Sequence, residues 1–260
     1  MKKTIAIFEK EFKSFFYSPM AYIVIAVFTA LTGIFFYLYL SSFVEAVFRD
    51  QMMAQQYRQM PQKFNVNLML IRPYFWNIAL ISLFTLPAIT MRLFSEEKRQ
   101  GTDELLFTTP ITNVQIVLGK FFAGLAFYVV LLLPTMFFQA LLFQYGNPEF
   151  LPVLSGYIGL IFLGSAFISL GLFISSTTEN QIIAAIGGFA LSLILWVIGW
   201  GASYVGQSLS PVLEYISIIN HFEDFAQGVI DSTHVVFYLL FTFFGLYLSL
   251  KSIESVKWRT

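Results

Sequence analysis

Two clusters of titratable residues are candidates for chemistry in this chain. The first lies within residues 91–120, MRLFSEEKRQGTDELLFTTPITNVQIVLGK, where Glu96, Glu97, Lys98, Arg99, Asp103 and Glu104 crowd together. The second is His221 with Glu223 and Asp224. Spacing argues against catalysis in both. The histidine cluster fits no metal-ligand motif, and polar side chains exposed at a membrane interface account for it better. The first cluster has helix-start chemistry instead. Gly101 breaks the chain, Thr102 offers a capping hydroxyl, and Asp103 and Glu104 put negative charge in a first helical turn, where the helix dipole favours it. Leu105, Leu106 and Phe107 give the short helix an apolar side, and Thr109-Pro110 ends it. Such an element can be gripped by a soluble partner. The alternative is an ordinary solvated loop.

Other chemistry is excluded by what the sequence lacks. With no cysteine there is no disulfide, zinc–thiolate site or iron–sulfur cluster. Gly119-Lys120 has neither the upstream glycine nor the following hydroxyl of a phosphate-binding loop, so the chain should not bind ATP that way. No H-E-x-x-H or G-x-S-x-G occurs, and no metal or other cofactor is expected. Formal net charge is zero, which gives no ground for a nucleic-acid partner.

These residues must be positioned by membrane helices. The chain is 57% hydrophobic and 12% charged, whereas soluble domains carry about 25% charge. Its apolar runs are long enough to cross a bilayer. The expected fold is all-α and polytopic, one membrane domain over residues 1–260 with six spans. Only Thr4 to Phe8 separate Lys3 from Glu9, too short for a cleavable signal core. Residues 4–18 read as a helix lying on the membrane, with Ile5, Phe8, Phe12, Phe15 and Phe16 on one stripe and Lys3, Lys10 and Lys13 on another. The other reading is a mere extension of the first span. Ser18-Pro19 forms an N-cap and N1 pair.

The first span is expected at 20–42, followed by a hydrophilic loop over 43–73 in which 51–60 could be helical. The second span is 74–94, bent near Pro87, and the charged elbow is 95–110. Thr112 to Gln115 fits a capping box, flanked by Ile111 and Ile116 as a staple, and opens the third span at 113–144, with Pro134 inside. Lys120, near its start, can snorkel to the interface. The fourth span is 152–175, whose glycines read as packing positions. Thr178 to Gln181 reads as a second capping box before the fifth span at 182–204. Residues 205–232 are amphipathic but too charged to span, and read as one or two short helices at the outer interface. The last span is 233–250.

Six spans place both termini on one side. Of the fifteen Lys and Arg, four (Arg49, Arg58, Lys63 and Arg72) then face the other side, and the remaining eleven share the side of the termini. The positive-inside rule makes that side the cytoplasm and puts the elbow in the cytosol. The centres of the spans carry no Asp, Glu, Lys or Arg, which argues against a proton-driven carrier or a channel with a charged filter. Energy must therefore enter from outside the chain.

The elbow resembles the signature segment of ABC-2-type transporter permeases: an E-E-[KR]-x-x-G-T-x-E-L-L core, then T-P-[IV], then V-L-G-K-F. FYSPMAYIVIAVFTALTGIFF and LEYISIINHFEDFAQGVID resemble the gliding-motility-associated permease branch, so the likeness spans nearly the whole chain. The resemblance implies six spans with an N-terminal interfacial helix, and short re-entrant helices before the last span. It implies a dimer of membrane domains (a homodimer or this chain with a related one) in the lipid of a bacterial inner membrane, each docked on an ABC ATPase subunit. It places ATPase coupling on Gly101, Thr102, Asp103, Glu104, Leu105 and Leu106, with Pro110 closing the segment. Glu96, Glu97, Lys98 and Arg99 become supporting contacts or a gate at the membrane edge. The chain itself is then not an enzyme but a permease subunit that moves a substrate. A membrane scaffold or mechanical subunit of an ATPase-driven complex would use the same elbow without moving cargo.

Overall fold

Local sequence signals set most helix starts. In the computed structural model, which describes residues 2–58, 60, 64–101, 111–146, 148–204, 206 and 209–257, α1 (Lys2–Tyr17) ends one residue before Ser18. The Ser18 hydroxyl accepts from Met20 N at 3.3 Å, and Pro19 opens α2 (Pro19–Tyr57). The break makes α1 a separate helix rather than an extension of the first span. Thr112 caps α5 (Asn113–Tyr145) with both halves of the box in place: Gln115 N donates to the Thr112 hydroxyl, and Thr112 N donates to the Gln115 side chain. The remaining helices are α3 (Arg72–Thr90), α4 (Arg92–Gln100), α6 (Phe150–Thr177), α7 (Gln181–Gly201), α8 (Ser210–Ile216), α9 (Ile218–Gln227) and α10 (Ser232–Lys257). A π-helical turn, Asn67–Ile71, precedes α3. All secondary structure among the described residues is helical, and six helical stretches are long and apolar enough to cross a membrane.

Three boundaries differ from the sequence reading. Helix α2 does not stop at residue 42 but continues to Tyr57, taking half of the supposed loop with it. Residues 43–57 contain no glycine or proline, so nothing local ends the helix. The second span runs on through α4 to Gln100, which makes Glu96, Glu97, Lys98 and Arg99 a helical extension of that span rather than part of an elbow. The second capping box does not form. Asn180 is the N-cap of α7, accepting from Ile182 N and Ile183 N, while Thr178 only accepts from Asn180 N. A residue directly before the helix reaches the free amides with a shorter side chain geometry than one two positions earlier.

The fourth span, α6, is the central post. It packs on α3, α5, α7, α9 and α10. Its glycines allow this. A Cβ on Gly171 would fall 2.0 Å from Thr90 Oγ1 on α3, and one on Gly164 would fall 2.2 Å from the Tyr128 ring on α5. Close approach of backbones is what small residues provide between membrane helices. By contrast only 17%, 22% and 28% of the apolar windows of α2, α7 and α10 is buried.

The molecule has two ends. At the end carrying the N-terminus, Ser252 on α10 and Lys98 on α4 both donate to Ser176 O on α6. At the other end Arg72 pairs with Glu223, Glu149 N donates to Asn67, and Ser155 donates to Phe225 O.

Candidate functional site

A charged residue on an otherwise apolar stripe is the signal that locates the site. On α1 the residues facing the bundle are Ile7, Glu11 and Phe15, four apart and therefore on one face. This face docks on α5. Phe15 stacks on Phe127 with ring centroids 4.8 Å apart, and Ile7 lies over Gly119, where a Cβ would come within 2.7 Å of Ile7 Cγ2. The aromatic stripe of the sequence reading is therefore split. Phe15 is buried against the protein, Phe8, Phe12 and Phe16 are half-buried, and Ile5 is exposed.

Glu11 needs partners at this depth, because an unpaired buried charge is costly. It finds Lys120 on α5, with Nζ to Glu11 Oε1 at 3.1 Å. Lys120 also holds Glu97 Oε2 at 2.9 Å and donates to Leu93 O at 2.5 Å, both on α4, and lies 5.0 Å from the Phe94 ring centroid. It does not snorkel: only 1% of its surface is exposed. Paired anions around its ammonium supply what the interface would have supplied. Glu97 is doubly held, since Lys10 Nζ reaches its other oxygen, Oε1, at 3.3 Å. Burial pulls the Lys10 ammonium down, but Glu11 and Glu97 outweigh it and hold its pKa above the ordinary lysine value. Arg92 on α4 pairs loosely with Glu96 at 3.9 Å and lies over the Phe15 ring at 5.7 Å. Together these side chains line a cleft of about 390 Å³.

The joint between α3 and α4 is pinned from α6. Pro87 has no N–H to give its helix, and the chain turns at Met91, whose N–H bonds Pro87 O. The Ser175 hydroxyl accepts from both Phe94 N and Ser95 N at 3.1 Å and donates to Met91 O at 2.9 Å. Ser95 also donates its hydroxyl to Met91 O.

Of the residues expected to couple, Glu97 enters the ion cluster and Glu96 sits beside it. Lys98 reaches across to Ser176 O at 2.5 Å, and Arg99 is exposed, lining a separate groove with Glu179 and Asn180. Gly101 ends α4 in the left-handed region at φ 65°, its N–H bonding Glu97 O and Lys98 O. Thr102, Asp103, Glu104, Leu105, Leu106 and Pro110 lie outside the described residues. Sequence reasoning passed over Glu11, Lys10 and the true role of Lys120. The available signals were an acid at the i+4 step between Ile7 and Phe15, and a lysine inside an apolar helix beyond its capped first turn.

The histidine cluster was also misjudged. His221 is buried, and its ring nitrogens contact His234 and Tyr215 O rather than solvent. Sequence spacing could not show this, because His234 is brought in by the next helix.

The arrangement holds no nucleophile with an activating base. It ties three helices, α1, α4 and α5, through two carboxylates, Glu11 and Glu97, on the one ammonium of Lys120. Comparison with curated proteins finds no match. A family model described as ABC-2 family transporter protein matches residues 5–252, nearly the whole chain. This match over nearly the whole chain, with which the six apolar helical stretches agree, makes the chain a member of the ABC-2 transporter family, a family of multi-pass membrane subunits.

Proposed function

We propose that the chain is the membrane permease subunit of an ATP-driven transporter, and that an ABC ATPase subunit moves it by gripping residues 101–110. The single observation that carries this reading is the Glu97 bridge. The carboxylate takes Lys120 on one oxygen and Lys10 on the other. Residues 102–110 connect the C-terminus of α4 to the capped start of α5, so the two flanks of the proposed handle are joined at their base by the Glu97–Lys120 pair. A push on the handle then moves α4 and α5 as one stem. Through Lys10 and Glu11 it also carries α1, and through Ser175 it bears on the central post α6. Two packings biased by the nucleotide state of the partner would give alternating access.

The same reading makes Asp103 and Glu104 the gripped charges and Leu105 and Leu106 the apolar side of the handle. Both termini lie in the cytoplasm and the membrane is the bacterial inner membrane, as the excess of Lys and Arg at the terminal end supports. A second permease domain and lipid share the exposed apolar faces of α2, α7 and α10. By motif the chain resembles the gliding-motility-associated branch.

The test is copurification of the full chain with its ATP-hydrolysing subunit from the native membrane. Asp103→Lys with Glu104→Lys should lose the subunit. Glu97→Gln should keep it bound while reducing the stimulation of its hydrolysis by the permease. Retention of full coupled hydrolysis in the charge-reversed chain would remove the reading, as would copurification with no nucleotide-hydrolysing protein at all.

A further inference from the structure

We propose that His221, His234 and Asp224 form a relay that stores one proton and, by holding it, latches α9 to the start of the last span. The geometry is a line of short contacts. His221 Nε2 lies 2.8 Å from Tyr215 O, His221 Nδ1 lies 2.7 Å from His234 Nδ1, and His234 Nε2 lies 2.7 Å from Asp224 Oδ2. His221 and Asp224 belong to α9, and His234 to α10.

A proton count follows from the two ends. A backbone carbonyl only accepts, so His221 Nε2 carries a proton. A carboxylate only accepts, so His234 Nε2 carries one as well. The central Nδ1–Nδ1 contact needs a third proton, on either ring, because two lone pairs facing at that distance repel. Three protons on four ring nitrogens is one more than two neutral imidazoles hold. The pair of rings carries one positive charge, opposite the Asp224 carboxylate.

The surroundings fit this count. Asp231, held by Thr233 N, adds a second carboxylate beside His234. Glu223 is turned away to Arg72 and Gln227, and Glu214 to Ser210. Tyr238 spends its proton on Ile218 O, and Ser155 on α6 spends its own on Phe225 O. The Phe237 ring stacks on His221 at 3.7 Å and the Tyr215 ring stands edge-on to it at 5.4 Å, which excludes water from the buried side. Because the line ends in a carbonyl, a proton entering from half-exposed Asp224 has no exit at the other end. The relay holds a proton rather than conducting one.

A second added proton would place N–H against N–H at the centre and open the latch. Burial holds the His221 pKa below the ordinary histidine value of about 6.5, so this step occurs in acid. A lowered pKa in the folded state means the latch is complete above the ordinary value. It is lost as pH falls through the lowered one.

The chain has two histidines, so nitrogen NMR of the 15N-histidine-labelled full chain, in lipid nanodiscs and with a histidine-free tag, reads this relay alone. At neutral pH the expected pattern is three protonated ring nitrogens and one bare. Asp224→Asn, whose amide can donate to His234 Nε2, should remove the need for the extra proton and give two and two. A two-and-two pattern in the unaltered chain overturns the proposal, as does an unchanged three-and-one pattern in the Asp224→Asn chain. If that variant fails to fold, His234→Gln serves: the remaining ring should be protonated at one nitrogen only, and a cationic ring counts against the relay. Full protonation of all four nitrogens in acid, below the ordinary histidine value of about 6.5, should coincide with a fall in melting temperature. A fourth proton taken up with no such fall removes the latch.

Discussion

The ends of this molecule handle charge in opposite ways. At the terminal end, Lys120 is 1% exposed and holds two carboxylates from two other helices, with a backbone carbonyl as a further acceptor. At the other end, Arg72 and Glu223 meet at 2.5 Å with 32% and 44% of their side chains exposed, and the nearby histidine relay depends on one stored proton. The first arrangement behaves as a strut: charges that deep cannot separate without leaving one of them unpaired in an apolar surrounding. The second behaves as an adjustable clasp, because water can replace a lost partner. Work entering at one end requires stiffness there, whereas an end that opens and closes requires contacts that can be exchanged.

The sharpest way to break this contrast is at Lys120. Lys120→Met should cost about 3–5 kcal/mol, since it leaves Glu11 and Glu97 with only the exposed Lys10 as a cationic partner. Thermal unfolding in nanodiscs measures it, and a loss no larger than that of a surface pair would end the distinction between strut and clasp. Next comes the seat of α1. Gly119→Ala puts a methyl against Ile7 Cγ2 and Cβ and should cost about 1–3 kcal/mol by overpacking, with Ile7→Gly, which removes both carbons, coupling to it in a double-mutant cycle. Additive losses in that cycle would show that α1 is not anchored there. The smallest effect is expected at the opposite end. Arg72→Gln should change stability by only about 0–1 kcal/mol and less at high salt, because exposed ion pairs contribute little. A loss comparable to that of Lys120→Met would make both ends equally rigid.

How much was legible beforehand varies by residue. The six spans, the Ser18-Pro19 start and the Thr112 box were readable because each rests on a window of hydropathy or on residues within one helical turn. The end of the first span was not, because apolar content falls at residue 43 while helix propensity does not. Glu97 was singled out by its place in a charged run. Its partners were invisible, since Lys10 and Lys120 lie far off in sequence on either side. His221 was read as exposed for the same reason, since its partner His234 comes from the next helix.

The sequence by itself determined that this chain is a bundle of membrane helices, since crossing a bilayer depends on the mean apolarity of about 20 consecutive residues. It also determined where most helices begin, because a cap bonds amides only two or three residues away. The tertiary structure alone decided which charges are buried together, which serine pins the Met91 joint and which two imidazoles share a proton. Those outcomes depend on the approach of helices distant in the chain. The energy of a buried charge is set by the atoms that surround it in space, and no local pattern specifies them.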